Sequence, residues 1–394
     1  MIEAKIIIGY DWVRNLHSGD AQRIRAWISA IKEIQGSVEV IFPTQKSNLE
    51  LKLADLSNEF KNVEFRAFAI DHRKILFQRI YMNFESLFKG VPTWILKQQS
   101  EEMKDYLKEI ERNGKILLFL GEASANYFSD INFYSLTFWD KFDLVAASSR
   151  TFASYNLGIF ESFKIRFHNL IGRRFERNNI SKFSQVILCS TIEFDLAKKY
   201  FPNSKNLSVL ESPCTKLAKI GWDYYSKRLG WFGSFSYSAN YLGLLRFLGE
   251  TNEIFYENDY SIEVYGSGLS NQMIEDLAQF SCAKVIGFVE NLEDHLLGLK
   301  AVVIPIWSGS RGIKMKTLEC ISLGIPFLGT EMALDGISSE CAAFISNESI
   351  ELANKAINIE FSDIEKALNF TFKIREQLYS QKAFTQKILK FMNS

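Results

Sequence analysis

The chain has 394 residues, and its 46 lysines and arginines balance its 46 aspartates and glutamates. This balance argues against the uniformly basic surface of a nucleic-acid-binding protein, and no apolar run approaches the roughly 20 residues of a membrane-spanning helix. The length suffices for two domains, each with a sizeable core.

Short apolar strands alternate with longer amphipathic segments, which predicts an α/β protein with parallel sheets covered by helices. In the first half the predicted strands are residues 5–9, 38–42, 63–67, 115–120, 144–147, 185–189 and 207–210. The pattern then restarts with predicted strands at 229–233, 262–266, 284–288, 301–306 and 326–328. We therefore expect a first Rossmann-like domain at 1–215, a second at 216–363, and C-terminal helices at 364–394 that cross back to the first.

The segment 163–177 mixes aromatic and aliphatic residues with five cations. An amphipathic helix that covers the sheet is the favoured interpretation, and a helix that lies on an anionic bilayer is the alternative. Asp140 and Asp143 precede a strand-like run, where helix caps or surface charges explain them as well as a ligand does.

The five cysteines are scattered, without a Cys-x-x-Cys pair, and predict reduced, mostly buried thiols. The strand-like start of the chain lacks a basic and apolar signal segment, so we expect a cytoplasmic protein. The four histidines show no metal-ligand spacing, and no Asp-x-Asp pair occurs. We therefore predict neither a protein-held metal nor another cofactor.

The most informative segment is residues 309–330, GSRGIKMKTLECISLGIPFLGT, which follows a buried strand. Small residues and glycines at its start allow a close turn, and a helix with two lysines then runs to Gly324. Backbone N–H groups at a helix N-terminus beside lysines are suited to a diphosphate. Glu319, one turn along, is a candidate acceptor for ribose hydroxyls. Together these features favour a nucleotide site.

This segment resembles the donor half of family 4 glycosyltransferases, which have the GT-B fold of two Rossmann-like domains facing a cleft. The matching residues are Gly312, Lys314, Lys316, Glu319, Gly324, Pro326 and Thr330. The resemblance extends over 228–240, where Asn240 is placed to cap the next helix, and over 285–292. It is weaker before residue 228.

The resemblance implies a retaining transferase that moves a sugar from a nucleotide-diphosphate donor to a glycan or lipid-linked acceptor, in bacterial surface-polysaccharide synthesis. It implies metal-independent catalysis and contact with the inner face of the membrane. The implied donor-binding residues are Gly233, Ser234, Gly266, Phe288, Val289, Gly309, Ser310, Gly312, Lys314, Thr317, Leu318 and Glu319. The implied catalytic residues are Lys316, Arg311 and Asp143. The implied acceptor and phosphate loop is Ser18, Gly19 and Asp20, for which a turn followed by an Asp N-cap is the alternative.

One position departs from the family pattern, because Arg311 occupies the place of a glutamate that usually faces the transferred sugar. A catalytically inactive GT-B relative that serves as a binding or scaffold subunit is therefore an alternative function. A sugar-nucleotide epimerase is a further alternative, although its paired carboxylates or histidines are not evident.

Overall fold

The computed structural model describes residues 4–15, 18–45, 49–70, 76–109, 116–130, 136–145, 159–214, 217–309 and 311–393. The chain divides into two compact units, Met1–Pro213 with Phe384–Ser394, and Cys214–Ala383. The segment grouped with the first unit at the C-terminus is thus shorter than the predicted 364–394.

The first unit is built on a seven-stranded parallel sheet with the order β3-β2-β1-β4-β5-β6-β7. Its strands are β1 (Ala4–Ile8), β2 (Val38–Thr44), β3 (Val63–Ala69), β4 (Ile116–Leu120), β5 (Leu136–Asp140), β6 (Gln185–Leu188) and β7 (Leu207–Val209). Its helices are α1 (Gly19–Gln35), α2 (Leu49–Glu59), α3 (Leu76–Lys89), α4 (Thr93–Leu96), α5 (Glu101–Glu109), α6 (Ile159–Ile180) and α7 (Thr191–Tyr200). Two 3₁₀ segments, Trp12–Asn15 and Glu122–Asp130, follow β1 and β4.

The second unit has a six-stranded parallel sheet with the order β10-β9-β8-β11-β12-β13. Its strands are β8 (Arg228–Phe232), β9 (Ser261–Tyr265), β10 (Ala283–Gly287), β11 (Ala301–Ile304), β12 (Phe327–Gly329) and β13 (Phe344–Ile345). Its helices are α8 (Ser238–Glu257), α9 (Asn271–Ala278), α10 (Leu292–Leu296), α11 (Met315–Leu323), α12 (Ser349–Asn358) and α13 (Phe361–Leu378). Helix α14 (Gln381–Asn393) closes the chain, and 3₁₀ segments lie at Glu331–Leu334 and Ser339–Cys341.

Both sheets are buried on two faces, because successive side chains of each strand enter cores on opposite sides. In β1, Ile6 and Ile8 pack under α1, whereas Ile7 packs in the core on the other face. In β11, Val303 and Ile304 divide in the same way between the two cores of the second unit. The predicted α/β architecture with two parallel sheets is therefore confirmed.

Two local predictions were wrong. Residues 144–145 are not in a strand, and the fifth strand is instead β5, which ends at Asp140; residues 146–147 lie outside the described part. Asn240 does not cap α8 but lies inside its first turn, where its side chain donates to the Ser234 carbonyl over 2.8 Å.

The basic segment 163–177 lies within α6. Ile171 and Phe175 are buried in the core, while Arg174 and Arg177 are exposed. Helix α6 therefore uses these two apolar residues to cover the sheet, as the favoured interpretation requires.

Candidate functional site

The candidate site of the second unit lies where its strand order reverses. Strands β8 and β11 are neighbours, and the strands that follow each of them along the chain lie on opposite sides of the pair. Ligands of open parallel sheets bind beyond the carboxyl ends of strands at such a point. Here the turn after Phe232 and the loop that follows Ile304 occupy that position.

The turn after β8 is packed so closely that only glycine fits at two positions. A Cβ atom on Gly266 would lie 2.0 Å from the carbonyl oxygen of Gly233. A Cβ atom on Gly233 would lie 3.0 Å from both Lys316 Nζ and Asn240 Nδ2. The Gly233–Ser234 turn therefore lies directly beside the Lys316 ammonium group.

Two helix N-termini adjoin this turn. Helix α11 begins at Met315, and helix α8 begins at Ser238, each without a hydrogen bond from the side chain of its N-cap residue. A Cβ atom on Gly309, which has a φ of 114°, would lie 2.2 Å from Tyr237 Oη, so the loop after β11 packs on the start of α8. The first N–H groups of a helix carry partial positive charge and favour an anion.

Lys316 stands in the first turn of α11, and its Nζ atom is buried without a hydrogen-bond partner among the described residues. The Nζ atom lies 4.4 Å from the centroid of the Trp231 ring. Burial lowers the pKa of Lys316 to about 7, and repulsion from Lys314 lowers it further. A desolvated ammonium group without a carboxylate partner is costly for the protein to maintain, unless a ligand supplies the negative charge.

The other two cations of the segment are engaged within the protein. Arg311 forms a bidentate ion pair with Asp335, with N–O distances of 2.7 and 3.0 Å. Lys314 lies 3.6 Å from the same carboxylate and donates to the carbonyl oxygen of Gly312 over 2.7 Å. Of the three cations, Lys316 is thus the one whose charge the described residues leave uncompensated.

Glu319 lies one turn beyond Lys316, on the same face of α11. The Glu319 side chain is partly buried, and burial together with repulsion from Glu293 raises its pKa. Thr317 and Leu318, by contrast, are buried in the core, and the Thr317 hydroxyl donates to the carbonyl of Ala333 over 2.6 Å. These two residues hold the helix in place, and their side chains do not face a ligand.

The predicted base-contacting segment follows β10. Phe288 is 63% exposed, whereas Val289 packs partly against the core. An exposed aromatic face is suited to stacking on a nucleotide base. Ser310, also predicted to bind the donor, lies outside the described residues.

The loop Ser18–Asp20 begins α1 in the first unit. Ser18 is the N-cap of α1, because its hydroxyl accepts from the N–H of Ala21 over 3.2 Å, so the alternative in which Asp20 is the cap is wrong. Asp20 is partly exposed, but reduced hydration and repulsion from Glu122 raise its pKa to about 6. Tyr10 donates to this carboxylate over 3.4 Å.

Asp143 and Asp140 have different environments. Asp143 is exposed, and its backbone N–H donates to Glu122 over 2.6 Å. Asp140 is fully buried and accepts two hydrogen bonds from Arg23, over 2.7 and 2.6 Å, and one from Trp27. Asp140 is therefore a structural ion-pair residue rather than a cap or a surface charge.

Within the described ranges, no group of three or more histidine, cysteine, aspartate or glutamate side chains is arranged to hold a metal ion. The five cysteines are buried and unpaired. A search of the described helices finds none long and apolar enough to cross a membrane.

Comparison with known proteins supports the resemblance found in the sequence. Residues 226–359, which contain the whole candidate site of the second unit, match the family model for glycosyl transferases group 1. No curated protein matches the sequence.

Solved structures resemble the whole chain. TarM has a TM-score of 0.69 at 12% identity, with 100% of this chain and 99% of that chain covered. HepE of Anabaena, solved in complex with UDP, has a TM-score of 0.65 at 10% identity, with both chains fully covered. The lipopolysaccharide outer core galactosyltransferase WaaB has a TM-score of 0.58 at 10% identity and covers 98% of each chain. The predicted GT-B fold is therefore confirmed.

Proposed function

We propose that this protein is a glycosyltransferase that uses a nucleotide-diphosphate sugar as donor. The observation that carries the proposal is the buried Lys316 ammonium group, which lies beside the Gly233 turn and on the first turn of α11 without a partner. A diphosphate would supply the missing negative charge, and Glu319 would bind the ribose hydroxyls. The match of residues 226–359 to a glycosyltransferase family model supports the same assignment.

In the proposed reaction, negative charge develops on the nucleoside diphosphate as the bond to the anomeric carbon lengthens. Lys316 and the helix N-termini stabilise that charge, so their effect is larger in the transition state than in the bound donor. We infer that the reaction retains the anomeric configuration. The leaving phosphate oxygen would then accept the proton of the acceptor hydroxyl, and the reaction needs neither a metal ion nor a side-chain base.

We assign the acceptor to the first unit, where Asp20 and Asp143 follow β1 and β5 and offer carboxylates to sugar hydroxyls. A glycan or a lipid-linked glycan of a bacterial surface polysaccharide is the proposed acceptor, and the inner face of the membrane is the proposed location. Supporting this class, S. aureus TarM has been solved with α-GlcNAc-glycerol and UDP; a mutant of that protein has a TM-score of 0.68 at 9% identity, with both chains fully covered.

A nucleotide-binding subunit without transferase activity is the second candidate. The observation in its favour is the Arg311–Asp335 ion pair, which occupies the position where relatives have a glutamate facing the donor sugar. Both candidates require Lys316 to bind a diphosphate, so binding alone does not separate them.

A thermal-shift screen of nucleoside diphosphates and their sugars tests binding, with UDP-glucose as the first compound. A ligand present at about 100 times its dissociation constant stabilises the folded state by about 2.7 kcal/mol. The unmodified protein should be stabilised, and Lys316→Met should not. Slow release of nucleoside diphosphate without acceptor then supports a transferase, whereas binding without any turnover supports the second candidate. The absence of stabilisation by every nucleotide would overturn both.

A further inference from the structure

Helix α3 presents its two faces in the reverse of the usual order. Met82 and Ser86 are buried, whereas Phe84, Leu87 and Phe88 are 57%, 43% and 83% exposed. At 100° per residue, the buried pair and the exposed three lie on opposite sides of the helix. An amphipathic helix normally turns its large apolar side chains inward, so the outward face of α3 is built for something other than the core.

Neighbouring elements extend this apolar face. Helix α4 packs beside α3 and carries Trp94, which is 39% exposed. Helix α6 reaches the end of α3, since Arg174 Nη1 donates to the Leu87 carbonyl over 3.4 Å. Leu170, one turn before Arg174, is 68% exposed. We call the surface formed by Phe84, Leu87, Phe88, Trp94 and Leu170 the α3 face.

The charges around the α3 face are segregated. The exposed charged residues of α3, α4 and α6, together with the residue that follows α4, are cations wherever the structure describes side chains: Lys89, Lys97, Arg166, Arg174 and Arg177. The acidic side chains described on these helices are largely withdrawn from solvent: Glu85 is 8% exposed and pairs with Lys89, and Glu176 is fully buried and pairs with Lys141. A locally cationic surface on a chain of zero net charge indicates an anionic partner.

We propose that the α3 face docks on an anionic lipid surface. The aromatic side chains would enter the boundary between headgroups and acyl chains, and the surrounding cations would lie at the level of the lipid phosphates. A membrane suits this combination because it offers an apolar layer beneath a negatively charged plane. The proposal concerns the first unit alone and does not depend on the proposed transferase activity.

The test uses fluorescence from a single labelled position. The native cysteines are buried, so an environment-sensitive dye will label Phe88→Cys selectively. The dye should brighten and shift to the blue with phosphatidylglycerol-containing vesicles at low salt, and high salt should reverse the change. Tyr225→Cys, at a residue 88% exposed in the second unit, is the matched control and should not respond.

Sedimentation with the same vesicles gives the second measurement. Phe84→Ser combined with Phe88→Ser should reduce the bound fraction about tenfold or more, since two buried aromatic side chains are lost. Nucleotide-dependent stabilisation of this variant should be unchanged, which verifies its folding. Equal binding of the unmodified protein to neutral and anionic vesicles, or no binding to either, would overturn the proposal. A lipid-free dimer that the double substitution dissociates would instead assign the face to a second copy of the chain.

Discussion

Lys316 makes nucleotide binding depend on pH within an accessible range. Its pKa in the ligand-free protein is lowered to about 7 by burial, and only the charged form attracts a diphosphate. For such a group the protonated fraction falls about tenfold between pH 6 and pH 8, so the affinity for a nucleotide sugar should fall about tenfold, or about 1.4 kcal/mol. A nucleotide sugar is preferable to a free diphosphate here, because its diphosphate has no terminal group that titrates in this range.

Isothermal titration calorimetry in buffers of different ionisation enthalpy measures both the affinity and the protons taken up. At pH 8 each bound nucleotide sugar should be accompanied by about 0.9 proton, since the complex holds Lys316 in its charged form. Lys316→Arg is the matched control, because arginine remains charged and should bind with little dependence on pH. A constant affinity for the unmodified protein between pH 6 and pH 8, without proton uptake, would refute the assignment of Lys316 to the diphosphate.

The same lysine should reduce the stability of the ligand-free protein. The unfolded chain binds the Lys316 proton more tightly than the folded chain does, so stability rises with pH between about 7 and the ordinary lysine value of about 10.4. Below pH 7 the penalty is fully present. Lys316→Met should therefore raise the melting temperature at pH 7 while abolishing nucleotide-dependent stabilisation, and a lower melting temperature would contradict this reasoning.

Three further predictions address other parts of the molecule. Glu319→Ala should weaken nucleotide binding by about 1.5–3 kcal/mol if Glu319 holds the ribose, whereas the exposed Glu250→Ala should not; unchanged affinity would exclude the ribose role. Turnover should persist in EDTA, and a complete loss that magnesium or manganese restores would reveal a metal requirement. Arg23→Ala should lower the free energy of unfolding by about 3–5 kcal/mol in urea titrations, because it leaves the buried Asp140 carboxylate unpaired; a loss below 1 kcal/mol would show that the pair contributes little.

The sequence predicted most of the fold because parallel strands buried on both faces form short apolar runs that glycine and polar residues interrupt. Strand β5 was missed because its last residue is an aspartate, which normally argues against a buried strand. Asp140 is accommodated there by Arg23, 117 residues away in the sequence. Such a pairing is absent from any local pattern.

The candidate site shows the same limit. Glycines and lysines after β11 indicated an anion site, but three cations in six residues gave no means of assigning each one. The assignment depends on Asp335, which engages Arg311 and Lys314 and leaves Lys316 beside Trp231. Likewise, the apolar periodicity of α3 is visible in the sequence, yet its outward direction depends on how the helix packs.

The two unusual features, the buried Lys316 and the outward-facing aromatic residues of α3, conflict with stability in the isolated protein. A buried charge without a partner and a large exposed apolar face each raise the free energy of the folded state. Each cost is removed by a different ligand, a diphosphate in the first case and a lipid surface in the second. The two features lie in different units, so each can be removed by substitution without altering the other. Lys316→Met should therefore abolish nucleotide binding and leave vesicle binding intact, while the paired Phe84→Ser and Phe88→Ser substitutions should have the converse effect. A variant of either kind that lost both properties would indicate unfolding rather than the loss of one site.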